Sequence, residues 1–161
     1  MGVRHLKICL IASIALLCSV SAAQNFANLM RGYETVRYVT SMQDHAAYPS
    51  SIAFGFVGAA PTWISYAVIL FAEVSAGVLA AKGTWDLWST RHNTSSVFND
   101  AKTYAMLGVG AAMLVWFSLF TVIGGAYFGM WQTSTGATAL AGAFQYATLS
   151  ALILIFINMP D

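Results

Sequence analysis

Apolar residues fall along this chain in four long blocks separated by polar stretches. The blocks run approximately over 8–29, 62–81, 104–127 and 137–157. Each is continuous, without the period-two alternation of a barrel strand. At about 1.5 Å of rise per residue, each is long enough as a helix to cross a hydrocarbon core of about 30 Å. The pattern predicts an all-α fold, an integral-membrane four-helix bundle, with residues 1–161 as one transmembrane domain. No hydrophilic stretch is long enough for a separate soluble domain.

The flanking residues set the borders. Arg4, His5 and Lys7 precede the first block. Pro61 suits the first turn of the second helix, where a missing N–H costs little. Lys82 and Gly83 close its apolar run. Ser96, Asn99 and Asp100 lie just upstream of the third block and can cap its start. Trp63 and Tyr66, Trp85 and Trp88, and Tyr127, Phe128 and Trp131 fall at block ends, the depth that aromatic rings with a polar tip favour. Trp116 falls near mid-block and is expected to pack against a neighbouring helix.

The first block has a rival reading. A basic start, the run Ile8 to Val20 and then Val20-Ser21-Ala22 resemble a secretory signal with its cleavage site. The run continues through Phe26, Ala27, Leu29 and Met30, so an anchored helix is the expectation. The connection from Met30 to Ala60 is long for a simple loop. Tyr33, Val36 and Thr40 share a face at helical spacing, which predicts a short interfacial helix there; an irregular solvated loop is the alternative. Between Lys82 and Thr103, Trp85, Leu87 and Trp88 stand beside Asp86 and Arg91, a pattern that extends the second helix into the interface.

Composition excludes most other classes. Apolar residues make up 58% of the chain and charged residues 8%, against roughly 25% charged in soluble domains. A soluble domain of this size lacks the interior volume for so much apolar surface. The net charge of +1 offers no footprint for nucleic acid. With four crossings, Arg4, Lys7, Lys82, Arg91 and Lys102 share one side, and Arg31 and Arg37 the other. The positive-inside rule then places both termini in the cytoplasm, and cleaving the first segment would not reverse the other three helices.

Glu73 is the one ionisable residue deep in a predicted span. A charge there costs about 2.5–3.5 kcal/mol even on the lenient insertion scale. It therefore calls for a proton, a hydrogen bond inside the bundle, or a wet cavity. Tyr66, two turns away, and Ser118, Thr121, Gln145 or Thr148 on other helices are the candidate partners. The functional reading is a proton or ligand site; the plainer one, preferred, is a carboxyl tying helices together.

Other chemistry is sparse. His5, His45 and His92 fall outside the blocks, so a haem held by paired histidines finds no ligands. No CxxC or HExxH spacing suggests zinc. His45 beside Asp44 reads as a solvated turn rather than a metal site. Cys9 and Cys18 stand about 13.5 Å apart along one helix, too far for a disulfide. Neither follows the small residue a lipoprotein signal needs, and both read as buried apolar residues. No nucleophile elbow, phosphate loop or paired intramembrane carboxylates appear, and no cofactor or metal is expected. Gly124-Gly125 reads as a helix end or close packing. Small residues recur more regularly: Ala72, Ala76 and Ala80; Gly108 and Ala112; Ala139, Ala143, Ala147 and Ala151. Such stripes let membrane helices approach closely, within the bundle or against a partner.

Several stretches resemble one bacterial family. Phe98-Asn99-Asp100-Ala101-Lys102, Trp116-Phe117, Ile123-Gly124-Gly125, Met130-Trp131-Gln132, Leu154-Ile155-Phe156 and Pro160-Asp161 are similar to the predicted small integral membrane proteins of domain family 2165, as are Ser41-Met42 and Glu73. The resemblance spans nearly the whole chain. It implies a four-helix inner-membrane protein and brings no activity with it. Three places depart from the pattern: Ala126 where an acidic residue often follows Ile-Gly-Gly, Ser134-Thr135-Gly136 in place of Trp-Asn-Gly, and Gln145 where a basic residue often follows Ala-Phe.

Packing surface thus exceeds chemistry. The leading expectation is a non-enzymatic accessory or scaffold subunit of a larger complex in the bacterial inner membrane. Its partners would be the lipid bilayer and other integral membrane subunits or a second copy. The alternatives are a small oligomeric transporter or channel coupled through Glu73, and a quinone- or lipid-binding subunit using Trp116 and Phe117.

Overall fold

The computed structural model describes residues 2–48 and 50–161. The chain forms α1 (Val3–Ala27), α2 (Leu29–Ser41), α3 (Ala59–Thr90), α4 (Ser95–Asp100), α5 (Thr103–Leu114) and α6 (Ser134–Asn158). No strand occurs among the described residues. Among the described residues, four stretches are long and apolar enough to cross a membrane: Val3–Ala27, Ala59–Thr90, Ser95–Tyr127 and Ser134–Asn158. These are the four expected spans, longer at several ends than the apolar blocks alone indicated.

α3 is the organising helix. It packs along α1 on one side and α5 on the other, and α6 completes the bundle against α5 and its continuation. The pairing of α1 with α6 is much thinner. Near the termini the core is Ile8, Ile11, Ile14 and Cys18 of α1, Ala76, Ala80 and Leu87 of α3, and Ala105, Val109 and Ala112 of α5. Towards the other end Val115 and Trp116 pack on Ala143 and Ala147 of α6. Residues Ile8 to Ala22 of the first segment are therefore integral to the packing.

The second helix does not stop at Gly83 but runs on to Thr90, as the pattern of Trp85, Leu87 and Trp88 predicts for the helix itself. Gly83 is a contact point: a Cβ there would overlap the Ala105 backbone. Gly108 plays the same part against Ala80. Ser96, Asn99 and Asp100 do not cap the third span. They lie inside the short α4, and α5 starts at Thr103 with no side-chain cap.

α2 follows α1 directly through a break at Asn28, whose side-chain amide donates to the Gln24 carbonyl at 2.8 Å. Thr40 is buried, Val36 is half-buried and Tyr33 stacks on Trp63 with ring centroids 4.6 Å apart. A helix is thus present in this connection, with the face formed by Tyr33, Val36 and Thr40 turned inward.

The third span changes its winding at Val115. From there to Tyr127 it is a π-helix. The Phe128 N–H donates to the Ile123 carbonyl at 2.9 Å and the Thr121 hydroxyl to the Trp116 carbonyl at 3.3 Å, each five residues back. Such windings are uncommon and often mark functional positions. Gly124 and Gly125 lie inside this stretch, where Met130 and Leu140 press on them after the chain turns back. They are packing glycines, not a helix end.

Candidate functional site

Glu73 is 1% exposed. Its Oε2 accepts a hydrogen bond from Asn25 Nδ2 at 2.8 Å. The Tyr66 hydroxyl donates to the Asn25 backbone carbonyl at 3.0 Å, and Tyr66 itself is buried. Tyr66 thus acts on Glu73 only through Asn25, and it is not the border residue its position suggested. Its ring fits because Gly32 of α2 has no side chain: a Cβ there would overlap the phenol. The carboxyl is therefore gripped where α1, α2 and α3 meet, near the end of α1 distal to the termini.

The other expected partners lie elsewhere. Ser118 is half-buried on the π stretch and makes no hydrogen bond to Glu73 among the described residues. Thr121 bonds the Trp116 carbonyl. Gln145 and Thr148 face outward from α6. Sequence reasoning missed Asn25. It was counted within an apolar block, although Gln24-Asn25 is the one amide pair in the first helix.

Beside this carboxyl, α1 and α6 stand apart and leave a laterally open groove of about 580 Å³. Leu16, Leu17, Val20, Ser21, Gln24 and Asn25 form the α1 wall, and Trp116, Phe120 and Tyr146 the opposite one, with Glu73 between them. The Trp116 ring lies 5.3 Å from that of Phe120 and 5.0 Å from that of Tyr146. Its indole N–H is buried and has no acceptor among the described residues. Phe117 is exposed and takes no part in the groove.

A second polar cluster ties the two termini together. Asp161 accepts from Lys7 at 3.3 Å and from Lys102 at 2.9 Å. Both ammonium groups also donate to the Met159 carbonyl, at 2.6 and 2.7 Å. The two lysines are 1% and 3% exposed. Phe98 is wholly enclosed beneath Lys102 and Arg4, whose cationic groups lie 5.8 and 4.7 Å from its ring centroid. Burial alone would push the Asp161 carboxyl up. Hydrogen bonds and charge from Lys102 and Lys7 outweigh it and hold the group below the usual carboxylate range.

At the opposite end, Gln132 Oε1 accepts from the backbone N–H groups of Ala47 and Tyr48, at 2.9 and 3.0 Å. Tyr48 meets Trp131 edge to face at 5.2 Å, and Phe56 meets Phe128 at 5.8 Å. The long first loop is thereby fastened over the turn between the third and fourth spans. His45 sits in this loop, and no metal-binding group of His, Cys, Asp and Glu occurs among the described residues.

The small-residue stripes face inward for the most part. Ala76, Ala80, Gly108 and Ala112 are buried at the meeting of α3 and α5, with Ala72 half-buried beside them. Ala143 and Ala147 are buried against the third span, while Ala139 and Ala151 are half-buried. The outward face of α6 carries a different row: Thr138, Ala141, Gln145, Thr148, Leu152 and Ile155, all exposed. Their spacing alternates three and four, the rhythm of a helix-pairing seam. Gln145 lies near the middle of α6, and its amide finds no partner among the described residues.

Comparison with curated proteins and with solved structures finds no match. A family model does match. It is the predicted small integral membrane protein family, DUF2165, and the match covers residues 3–160. The stretches that carried the resemblance now have physical roles: Phe98, Lys102 and Asp161 build the terminal cluster, Gln132 fastens the long first loop, and Trp116 and Glu73 flank the groove. On these grounds the chain is a multi-pass integral membrane protein that belongs to the DUF2165 family.

Proposed function

We propose that the protein is a non-enzymatic accessory or scaffold subunit of a larger assembly in the bacterial inner membrane. Both termini face the cytoplasm, and α2 lies along the outer surface. The orientation rests on five cationic residues against two across the two sides.

One observation carries the docking role: the exposed Gln145 amide at the centre of α6's outward seam. A glutamine facing lipid leaves two donors and an acceptor without partners. Facing a neighbouring helix, the same amide forms interhelical hydrogen bonds of about 0.6–2 kcal/mol, and Ala141 and Thr148 permit the close approach. The small-residue stripes are largely used within the chain, so another subunit would dock on a different surface, and among the outward faces the α6 seam is the one that carries the Gln145 amide.

The transporter reading has less to rest on. Beyond Glu73 towards the termini the interior is chiefly Cys18, Ala76, Ala80, Val109 and Ala112, and the buried Ser150 hydroxyl has no partner among the described residues, so no connected proton relay leads on from the carboxyl.

Co-purification in mild detergent tests the proposal. The wild type should bring down a stoichiometric membrane partner, or a second copy. Gln145→Leu should fold normally and lose that partner. A Leu variant that retains the whole assembly would overturn the docking role of α6.

A further inference from the structure

We propose that the groove between α1 and α6 binds the head of an isoprenoid quinone, with its tail leaving sideways into the bilayer. The inference stands apart from the docking role of α6, whose outward seam lies on another face of that helix.

The shape and depth suit a bilayer-soluble ligand. The groove opens laterally, and its volume of about 580 Å³ lies within the usual range for small-molecule sites. Its polar groups gather at the end distal to the termini, where Asn25 stands two residues before the end of α1. Its walls elsewhere are Leu16, Leu17 and Val20, suited to a hydrocarbon chain.

The chemistry selects among amphiphiles. No Lys or Arg lines the groove among the described residues, and a carboxyl stands within it. An anionic phosphate head would meet Glu73 with no cation to offset it. A quinone ring is uncharged and planar, and it presents oxygens on opposite edges. The three rings of Trp116, Phe120 and Tyr146 offer it aromatic faces. The Trp116 indole N–H has no acceptor among the described residues but is sealed from the groove, so Trp116 contributes its ring face rather than a hydrogen bond. At the other edge Asn25 holds Glu73 through Oε2 alone, leaving Oε1 for a quinol hydroxyl. The fixed Tyr66–Asn25–Glu73 chain makes this a preformed site rather than a gap between helices.

Binding can be read without knowing any partner. The probe is a benzoquinone carrying a decyl chain, added to the full-length protein in phosphatidylcholine nanodiscs. Quinones quench tryptophan fluorescence on contact, so a saturable quench reaching one quinone per chain is expected. Trp116→Phe should remove most of the saturable phase. Glu73→Leu should raise at least tenfold the concentration of the quinol form needed to displace half of the bound quinone. Val20→Phe, which fills the groove from an exposed position away from the polar cluster, should raise the concentration needed for both forms as much and keeps the test valid if Glu73→Leu misfolds. Quenching that never saturates and is equal in all variants would overturn the proposal. So would displacement of the quinone by equimolar phosphatidylethanolamine, which would make the groove a phospholipid seat.

Discussion

Removing the Asp161 carboxylate should destabilise the bundle more than any other single surface-proximal change. Its two oxygens answer two lysines, Lys7 from α1 and Lys102 from the start of the third span, both almost fully enclosed. Asp161→Ala leaves two buried ammonium groups sharing the Met159 carbonyl without the side-chain carboxylate that paired them. Breaking a buried ion pair from one side costs about 3–5 kcal/mol. At about 2–4 °C per kcal/mol for a chain of this size, the melting temperature in detergent should fall by roughly 6–20 °C. Asp161→Asn keeps the shape and should fall by less. Adding Lys102→Met to Asp161→Ala should recover part of the loss, because one unpaired charge is removed with it. The pH dependence has a definite sign. The folded carboxyl titrates below its unfolded value of about 3.9. Its stabilisation is therefore complete above that value and is lost as pH falls through the lower, folded one. Wild type should lose stability below about pH 4 more steeply than Asp161→Asn. An Ala variant melting within about 2 °C of wild type would refute the reasoning, since it would mean the lysines are hydrated without their partner.

Other perturbations address the remaining contacts. Glu73→Gln retains an acceptor for Asn25 and should melt like wild type, whereas Glu73→Leu leaves that amide unpaired and should cost about 1–3 kcal/mol; equal melting of the two variants would remove the structural role. Gln132→Ala frees the Ala47 and Tyr48 N–H groups and should speed proteolytic nicking of the first loop without shifting global melting; unchanged nicking would show that the aromatic contacts hold the loop alone. Gly83→Leu should force α3 from α5 and abolish accumulation of folded protein, while Gly110→Leu, where an added Cβ meets nothing within 4 Å, should be tolerated. Gln43→Cys should react with a membrane-impermeant thiol reagent applied outside intact cells and Ser96→Cys should not; the reverse pattern would invert the topology.

The spans were legible because a membrane asks one simple thing of a sequence, a long apolar run, and four runs satisfy it. The inward face of α2 was legible too, since Tyr33, Val36 and Thr40 obey helical spacing. What distance along the chain hides is pairing. Asn25 meets Glu73 only because α1 and α3 run antiparallel at a register that no local pattern encodes. Lys7 looked like a charge at the membrane border, yet it closes on Asp161 from the far end of the chain. Gly83 resembled a helix stop because local propensity is overruled where Ala105 needs the space of its missing side chain. The π winding from Val115 left no sign in the residue pattern, because apolar residues surround that stretch on every face.

The most direct test of the subunit proposal is native mass measurement on the protein released from its own membrane without detergent exchange. The account predicts a particle heavier than the single 17.2 kDa chain by a fixed partner mass, in constant ratio across preparations, and the collapse of that particle to the single chain in Gln145→Leu. A wild-type particle containing one chain and lipid alone would contradict it.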